Sequence, residues 1–310
     1  MRKKKWARDD TELTLLSLPT AVWYIAFCFL PMFGIIIAFK DYRIHNPGRS
    51  FFYNLLESKT VWFDNFKFMF TGSDGWLVVK LTLTYSIIFL LLGLIIPVTL
   101  SVMMSLLHSK KYGNTCQTMM FLPHFLSWIV VSYFVFSFLS PDRGLVNSFL
   151  SSLGKETFNW YMEPKYWPFI LVFLNVWKSM GFGMVIYLAA ITSIDTELYE
   201  AAYIDGGSKW QQVIYITLPH LKYMVIMMLI LNMGGLVRSD FGLFYQVPRA
   251  SNSLYEVTQT IDVYIYNMLR FQTITNMASA AAFLQSIIGM LLILGSNWIV
   301  SKIDKESTII

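Results

Sequence analysis

Apolar residues run through this chain in long blocks separated by short polar stretches, and the blocks set the expected architecture. They cover about Leu13 to Phe39, Leu77 to Leu107, Thr118 to Leu139, Trp167 to Ile191, Leu221 to Val237 and Met277 to Val300. A membrane-spanning helix needs about 20 predominantly apolar residues, so the pattern predicts six spans. The first block is too long for the apolar region of a signal peptide, contains Pro19 and Pro31, and is followed by no small-residue cleavage site; it reads as a retained helix. Between the spans lie a polar, aromatic-rich loop to Gly75 and a tight basic turn from His108 to Gly113. A loop from Ser140 to Lys165 carries Gly144, Asn147 and Gly154, and a longer polar loop runs from Arg238 to Thr273.

The spans are not uniformly oily. Leu171, Asn175, Lys178, Ser179 and Phe182 share one helical stripe of the fourth, and Asn232, Gly235, Leu236 and Ser239 share one of the fifth. Gln285, Gly289 and Ser296 fall on one side of the sixth. Polar groups at membrane depth are costly unless they face one another or a hydrated cavity, so a bundle with a polar interior is expected. Each polar group has two readings, a helix–helix hydrogen bond or a contact to cargo. Gly181, Gly183, Gly234, Gly235 and the run Ala280 to Ala282 suit close helix packing.

Composition agrees with a membrane chain. The 310 residues have a mean hydropathy of +0.52 and are only 14% charged, too apolar for an ordinary soluble domain. The net charge of +5 is scattered and forms no nucleic-acid-binding face. The one basic cluster, Arg2 to Lys5 with Arg8, precedes the first span. An even number of spans puts both termini on one side, and that cluster, Lys110, Lys111, Lys302 and Lys305 argue for the cytoplasmic side. Arg43, Arg49, Lys59, Lys67, Arg143 and Arg249 fall in the outer loops, which are longer and balanced by acids. Trp6, Trp23, Trp62, Trp76, Trp167 and Trp298 lie near expected span ends, as an interfacial aromatic belt requires. Cys28 and Cys116 sit in or beside spans and predict neither a disulfide nor a metal cage of thiolates. The expected organisation is a basic N-terminus over 1–12, a membrane domain over 13–301 and a short tail over 302–310.

The stretch 195–219 between the fourth and fifth spans has its own chemistry. Asp195 can cap a helix, with Glu197 and Glu200 near its positive end. Leu198, Ala201, Ala202 and Asp205 share a face. Gly206-Gly207 ends that helix, Ser208 and Gln211 form a Ser-x-x-Gln capping box for a second, and Pro219 suits the first turn of the next span. Two short helices with a sharp corner are predicted.

The residues read EAA-x3-G-x9-I-x-LP from Glu200 to Pro219. This resembles, at every fixed position, the EAA loop of the inner-membrane permeases of binding-protein-dependent ABC importers. Further segments resemble the oligosaccharide branch of that family, of LplB and maltose-permease type. They are Pro31 to Gly34 with Ala38 to Tyr42, Phe121 to Trp128 (FLPHFLSW), Trp177-Lys178 with Gly181, Tyr187 to Ala190, Asp195 to Glu200, and Asp240 to Tyr245. The likeness covers nearly the whole chain. It departs at Gly207, where alanine is common and a looser corner is expected, and at Thr82, where asparagine is frequent.

The resemblance implies an all-α integral membrane fold, a bundle of six transmembrane helices with a cytoplasmic coupling-helix loop. Glu200, Ala201, Ala202, Asp205, Gly206, Gly207, Leu218 and Pro219 would form the contact with an ATPase subunit. Implied partners are a second homologous permease, two ATPase subunits and an extracellular sugar-binding protein, in a bacterial cell membrane. No Gly-x-x-x-x-Gly-Lys-Ser/Thr loop is present, so ATP and Mg²⁺ would sit on the partner ATPases, with no cofactor, metal or catalytic residue on this chain. The implied activity is carbohydrate import by alternating access. Asn175, Trp177, Lys178, Asn232 and Gln285 are candidate cargo contacts, with Lys178, Arg238 and Asp240 suited to an acidic sugar. One alternative is a permease for amino acids, polyamines or phosphate. Another is an intramembrane enzyme using Glu200 and Asp205, although no His or Cys lies near them in sequence. A passive channel would not need the loop.

Overall fold

Backbone amides buried in lipid must find partners within their own segment, and the apolar blocks accordingly wind into helices. The computed structural model describes residues 8–42, 48, 50–272 and 274–303, with side chains for all of these except 8–10, 73, 272 and 303. Arg2 to Lys5, Trp6, Arg43, Arg49 and Lys305 lie outside the described residues. Among the described residues the extended pairing is one isolated bridge, Lys40 with Thr60. Among the described residues five helical runs are long and apolar enough to cross a membrane, or six if a bent pair is one span. The chain divides into two units, residues 1–71 with 268–284, and residues 72–267 with 285–310.

In the first unit, α1 (Arg8–Tyr24) passes through a π turn (Ile25–Phe29) into a 3₁₀ run (Leu30–Phe39). Pro31 has no N–H for the carbonyl of Phe27, and the helix is widened where that bond is lost. Short helices α2 (Phe51–Glu57) and α3 (Phe68–Thr71) follow. Asn65 ties the end of the first span by donating to the carbonyls of Ala38 and Lys40, both at 2.9 Å, while its own oxygen accepts from Asn276 at 3.0 Å. Lys40 Nζ donates to the carbonyl of Leu55 at 2.7 Å. Ala38, Phe66 and Ala280 are buried together with Phe39 and Phe283 around them.

The second unit is built on α4 (Ser73–Ser105), a 33-residue helix roughly 50 Å long at 1.5 Å per residue. It packs along the later helix Trp167–Thr192. The expected turn at His108 to Gly113 is shorter than predicted, because Ser109 caps α5 (Lys110–Phe121) by accepting from Tyr112 N. The third expected span, Thr118 to Leu139, is not one helix. After α5 a 3₁₀ turn (Leu122–Phe125) leads to α6 (Trp128–Leu139), and the two runs meet at 99°. Pro123 cannot continue the ladder, and Ser127 starts α6 by accepting from Val130 N. The carbonyl of His124, released at the break, accepts instead from Lys178 Nζ at 3.0 Å.

The loop from Ser140 to Lys165 holds α7 (Leu145–Ser152) and is knotted by Asn147. Its amide donates to the carbonyls of Pro141 and Phe158 and accepts from Trp160 Nε1. Burial pushes the Tyr161 phenol up to about 12, against the opposing pull of Arg249. Next come α8 (Trp167–Thr192), α9 (Thr196–Ile204), α10 (Lys209–Gln212) and α11 (Leu218–Met233). Trp167, expected in an aromatic belt, is instead fully buried in the core, because its indole finds a partner in the carbonyl of Trp160 at 2.7 Å.

The largest difference from the sequence pattern lies after the fifth span, which ends in helix at Met233 rather than Val237. Of the predicted polar loop, Arg238 to Thr273, the segment 238–267 folds back into the unit. It carries a π turn (Gly242–Gln246), α12 (Tyr255–Thr258) and α13 (Ile261–Asn267), and Leu243, Val247 and Leu254 are completely buried. They join Tyr85, Val131, Trp167 and Leu171 in the main core. A non-regular backbone can sit at membrane depth only when its polar groups are met by protein. Here Tyr85 OH donates to the carbonyl of Val257, and the buried Thr82 hydroxyl accepts from Ile261 N at 2.9 Å and donates to the carbonyl of Val78. The residue that departs from the family pattern therefore holds the re-entrant segment to α4. Thr82→Val keeps the shape but strands the Ile261 amide. It should cost about 1–3 kcal/mol, read as a lower unfolding temperature of the purified chain in detergent.

The last helix, α14 (Thr275–Ile303), contributes to both units. In the second, Gly234 meets it so closely that an added Cβ would fall 2.3 Å from Ile293, the tight approach expected of small residues.

Candidate functional site

The stretch 195–219 forms the predicted two helices. Asp195 Oδ1 accepts from Glu197 N at 3.0 Å and starts α9. The helix ends with Gly206 at φ +78°, where Gly206 N donates to the carbonyl of Tyr203 and Gly207 N to that of Ala202 at 2.8 Å. This bond pair is the Schellman ending, which uses the left-handed backbone that glycine adopts most easily. The looser corner expected from Gly207 is not what forms. An added Cβ at 207 would lie 2.8 Å from the same Ala202 oxygen, so its absence leaves room for the closing bond. Ser208 and Gln211 make the capping box, with both reciprocal bonds present.

Pro219 does not open a new helix. Residues Lys209–Met233 form one continuous helical run, with a π turn at Val213–Thr217 immediately before Leu218. The proline ring needs relief from the carbonyl four residues back, that of Tyr215, and the π turn includes that residue.

One side of this stretch is anchored and the other is bare. Val213 and Leu221 are buried against Tyr187 and Ile191 of α8 and Val102 of α4. The Tyr199 hydroxyl lies 3.0 Å from that of Thr217, linking α9 to the π turn. Outward, Glu200, Ala201 and Asp205 are exposed beside Tyr203 (75%), Ile204 (83%), Trp210 (68%) and Tyr215 (74%). Large apolar side chains left this open among carboxylates mark a surface for a partner.

α8 and α11 lead from this stretch to a cavity of about 380 Å³. Its third wall is α4 from Tyr85 to Pro97, the middle of that helix. Asn175, Asn232, Arg238 and Asp240 line it, together with Ser179, Phe182 and Phe244. The stripes Asn175–Ser179–Phe182 and Asn232–Gly235–Leu236–Ser239 both open onto this space. The α4 wall was missed by sequence reasoning because it lies inside an almost unbroken apolar run. Its signal is the set of odd residues Tyr85, Ser86, Gly93 and Pro97, which recur on one helical stripe.

The other candidate residues are not on the cavity wall. Trp177 packs against the main core beside α6. Lys178 is committed to the His124 carbonyl, with its ammonium 5.2 Å from the centroid of the Trp128 ring. Gln285 donates to the carbonyl of Val237 at 2.7 Å and to Asp262. Asp262 also accepts from Ser239 N and Oγ, so these groups fasten the re-entrant turn. Asp240 is shared between cavity and scaffold: Oδ2 accepts from Trp128 Nε1, and Oδ1 accepts from the amides of Gly242 and Leu243. His124 stacks on Phe182 at 4.6 Å. Among the described residues no group of three or more His, Cys, Asp or Glu side chains could hold a metal ion.

A multi-pass helical bundle with a mid-depth cavity and an exposed two-helix loop on the same helices is the build of a membrane transport subunit. This chain belongs to the family described as binding-protein-dependent transport system inner membrane component, whose model matches residues 100–306. Protein LplB of Bacillus subtilis (strain 168) is 31% identical over 299 residues, covering 96% of this chain and 91% of that protein. The polygalacturonan/rhamnogalacturonan transport system permease protein YteP of the same organism is 30% identical over 294 residues, covering 95% and 89%. The crystal structure of a bacterial alginate ABC transporter, in complex with an alginate pentasaccharide-bound periplasmic protein, contains a chain that is 31% identical. It superposes with a TM-score of 0.84 and covers 96% of each chain. Family and relatives are transport permeases, which sets aside the reading of Glu200 and Asp205 as an acid–base pair.

Proposed function

We propose that this chain is the permease subunit of an ATP-driven importer of oligosaccharides, working by alternating access. The observation that carries the reading is continuity: α8 and α11 line the cavity at mid-depth and run without interruption to the exposed stretch 195–219. A pull on that stretch tilts two cavity walls at once. In this reading Glu200, Ala201, Ala202, Asp205, Gly206 and Gly207 dock on an ATPase subunit, and Leu218 and Pro219 lie within the continuous helical run that transmits the pull. ATP, with Mg²⁺, is bound and hydrolysed by two such subunits. A second homologous permease closes the open side of the cavity, and a binding protein delivers cargo from outside. Both termini then lie in the cytoplasm of a bacterial cell.

The cavity suits sugar. Phe89, Phe182 and Phe244 offer ring faces for C–H surfaces, and Asn175, Asn232 and Ser179 offer donors and acceptors for hydroxyls. The relatives whose names mention polygalacturonan/rhamnogalacturonan and alginate support the same class of cargo. Purification of the intact complex from native membrane, followed by mass spectrometry of partners and bound small molecules, tests the reading. Nucleotide-hydrolysing subunits and a glycan are expected. An amino acid, polyamine or phosphate in place of the glycan would refute the sugar assignment.

A further inference from the structure

The charged groups around the cavity differ in whether their bonding capacity is already used. Lys178 is spent on the His124 carbonyl. Asp240 has three donors, the Trp128 indole and two backbone amides, so its charge is met by the scaffold. Asp262, just behind the wall, is held by Ser239 and Gln285. Arg238 is different. Its backbone is pinned, with the amide donating to the carbonyl of Gly235 and its own carbonyl accepting from Ser86 Oγ at 3.2 Å. Its guanidinium, exposed on the cavity wall, has no hydrogen bond or ion pair among the described residues.

The depth of this residue makes the vacancy expensive. Ser86 lies roughly 20 Å along α4, near its middle. An arginine at membrane depth faces water or an anion rather than lipid, and a free one marks a transport path. Its planar fork matches a carboxylate with two parallel charge-assisted bonds, which a neutral hydroxyl cannot reproduce.

We infer that Arg238 is the specificity-determining residue of this permease, recognising a carboxylate on the transported sugar, so that the cargo is an acidic oligosaccharide rather than a neutral one. The inference rests on the carbohydrate reading above. The Asp240 carboxylate, already capped and bonded, does not compete for the guanidinium, which leaves five donors directed at cargo.

The test uses the complete importer in proteoliposomes with its binding protein, ATPases and second permease. The probes are trigalacturonate and its fully methyl-esterified form. Arg238→Gln should lower trigalacturonate uptake at least about tenfold, with a smaller loss for any ester uptake, and Arg238→Lys should restore uptake to within about threefold of wild type. Complex yield on purification shows that each variant is assembled. A Gln variant that keeps the wild-type rate for the acid, or that loses acid and ester in equal proportion, overturns the assignment while the carbohydrate reading stands. A wild-type complex that moves neither trimer overturns both.

Discussion

Glu200→Lys is expected to abolish uptake by the assembled importer, to below about 1% of wild type, while the chain still inserts in the membrane. The carboxylate is exposed midway along α9 and next to the open Ala201, so it stabilises nothing inside the chain that a lysine would destroy. In the proposed reading its worth is to the ATPase subunit. Reversing a charge that pairs across an interface replaces attraction with repulsion, and breaking such a pair alone costs about 2–5 kcal/mol. A loss of about 3 kcal/mol is already more than a hundredfold. ATPase co-purification and uptake, measured on the same preparation, check this. Normal uptake by the variant would mean that α9 is not the contact through which force enters.

Gly206→Val should do comparable damage by a different route. The φ of +78° is a backbone that a β-branched residue enters only at a cost of about 1–3 kcal/mol. Nothing lies within 4 Å of an added Cβ, so the fault is conformational and not a clash. The corner would open, the Gly207–Ala202 bond would lengthen, and α9 would leave its fixed angle to α10. Stability of the bundle should barely change, since the corner is exposed, but ATP hydrolysis should no longer respond to loaded binding protein. Gly206→Ala should fall between the two. Full coupling in the valine variant would show that the corner angle does not matter to transmission.

These expectations depend on a stretch whose local chemistry could be read directly. Caps, the capping box and the glycine ending involve residues within a few positions of one another, and short-range hydrogen bonding fixes them regardless of what surrounds them. The stripe from Asn175 to Ser179 was legible for the same reason, because helical periodicity alone brings those residues to one face; Ser239 reaches the cavity beside Asn232 by the turns at 234–237, since the helix ends at Met233. The broken third span was half legible. Pro123 announces an interruption, but the partner of the carbonyl freed at the 99° turn is Lys178, which donates to His124 from 54 residues away. Likewise Lys178 and Gln285 looked like cargo contacts because a polar residue in an apolar span has two fates, and only the identity of its neighbour separates them. The segment 238–267 reads in sequence as a polar loop because its polar residues outnumber those of a span, yet it folds into the core. Its buried Leu243, Val247 and Leu254 are too widely spaced to make a periodic signal.

By itself, the sequence determined the membrane class, most of the helical runs, the geometry of the 195–219 corner and the Asn175–Ser179 stripe, since burial in lipid and short-range bonding act on each segment alone. Only the tertiary structure decided which charged groups are spent. It drew Lys178, Asp240 and Gln285 into the scaffold and left Arg238 open, because a charge at depth is satisfied by whatever distant group the fold brings within about 3 Å, and no local pattern records that distance.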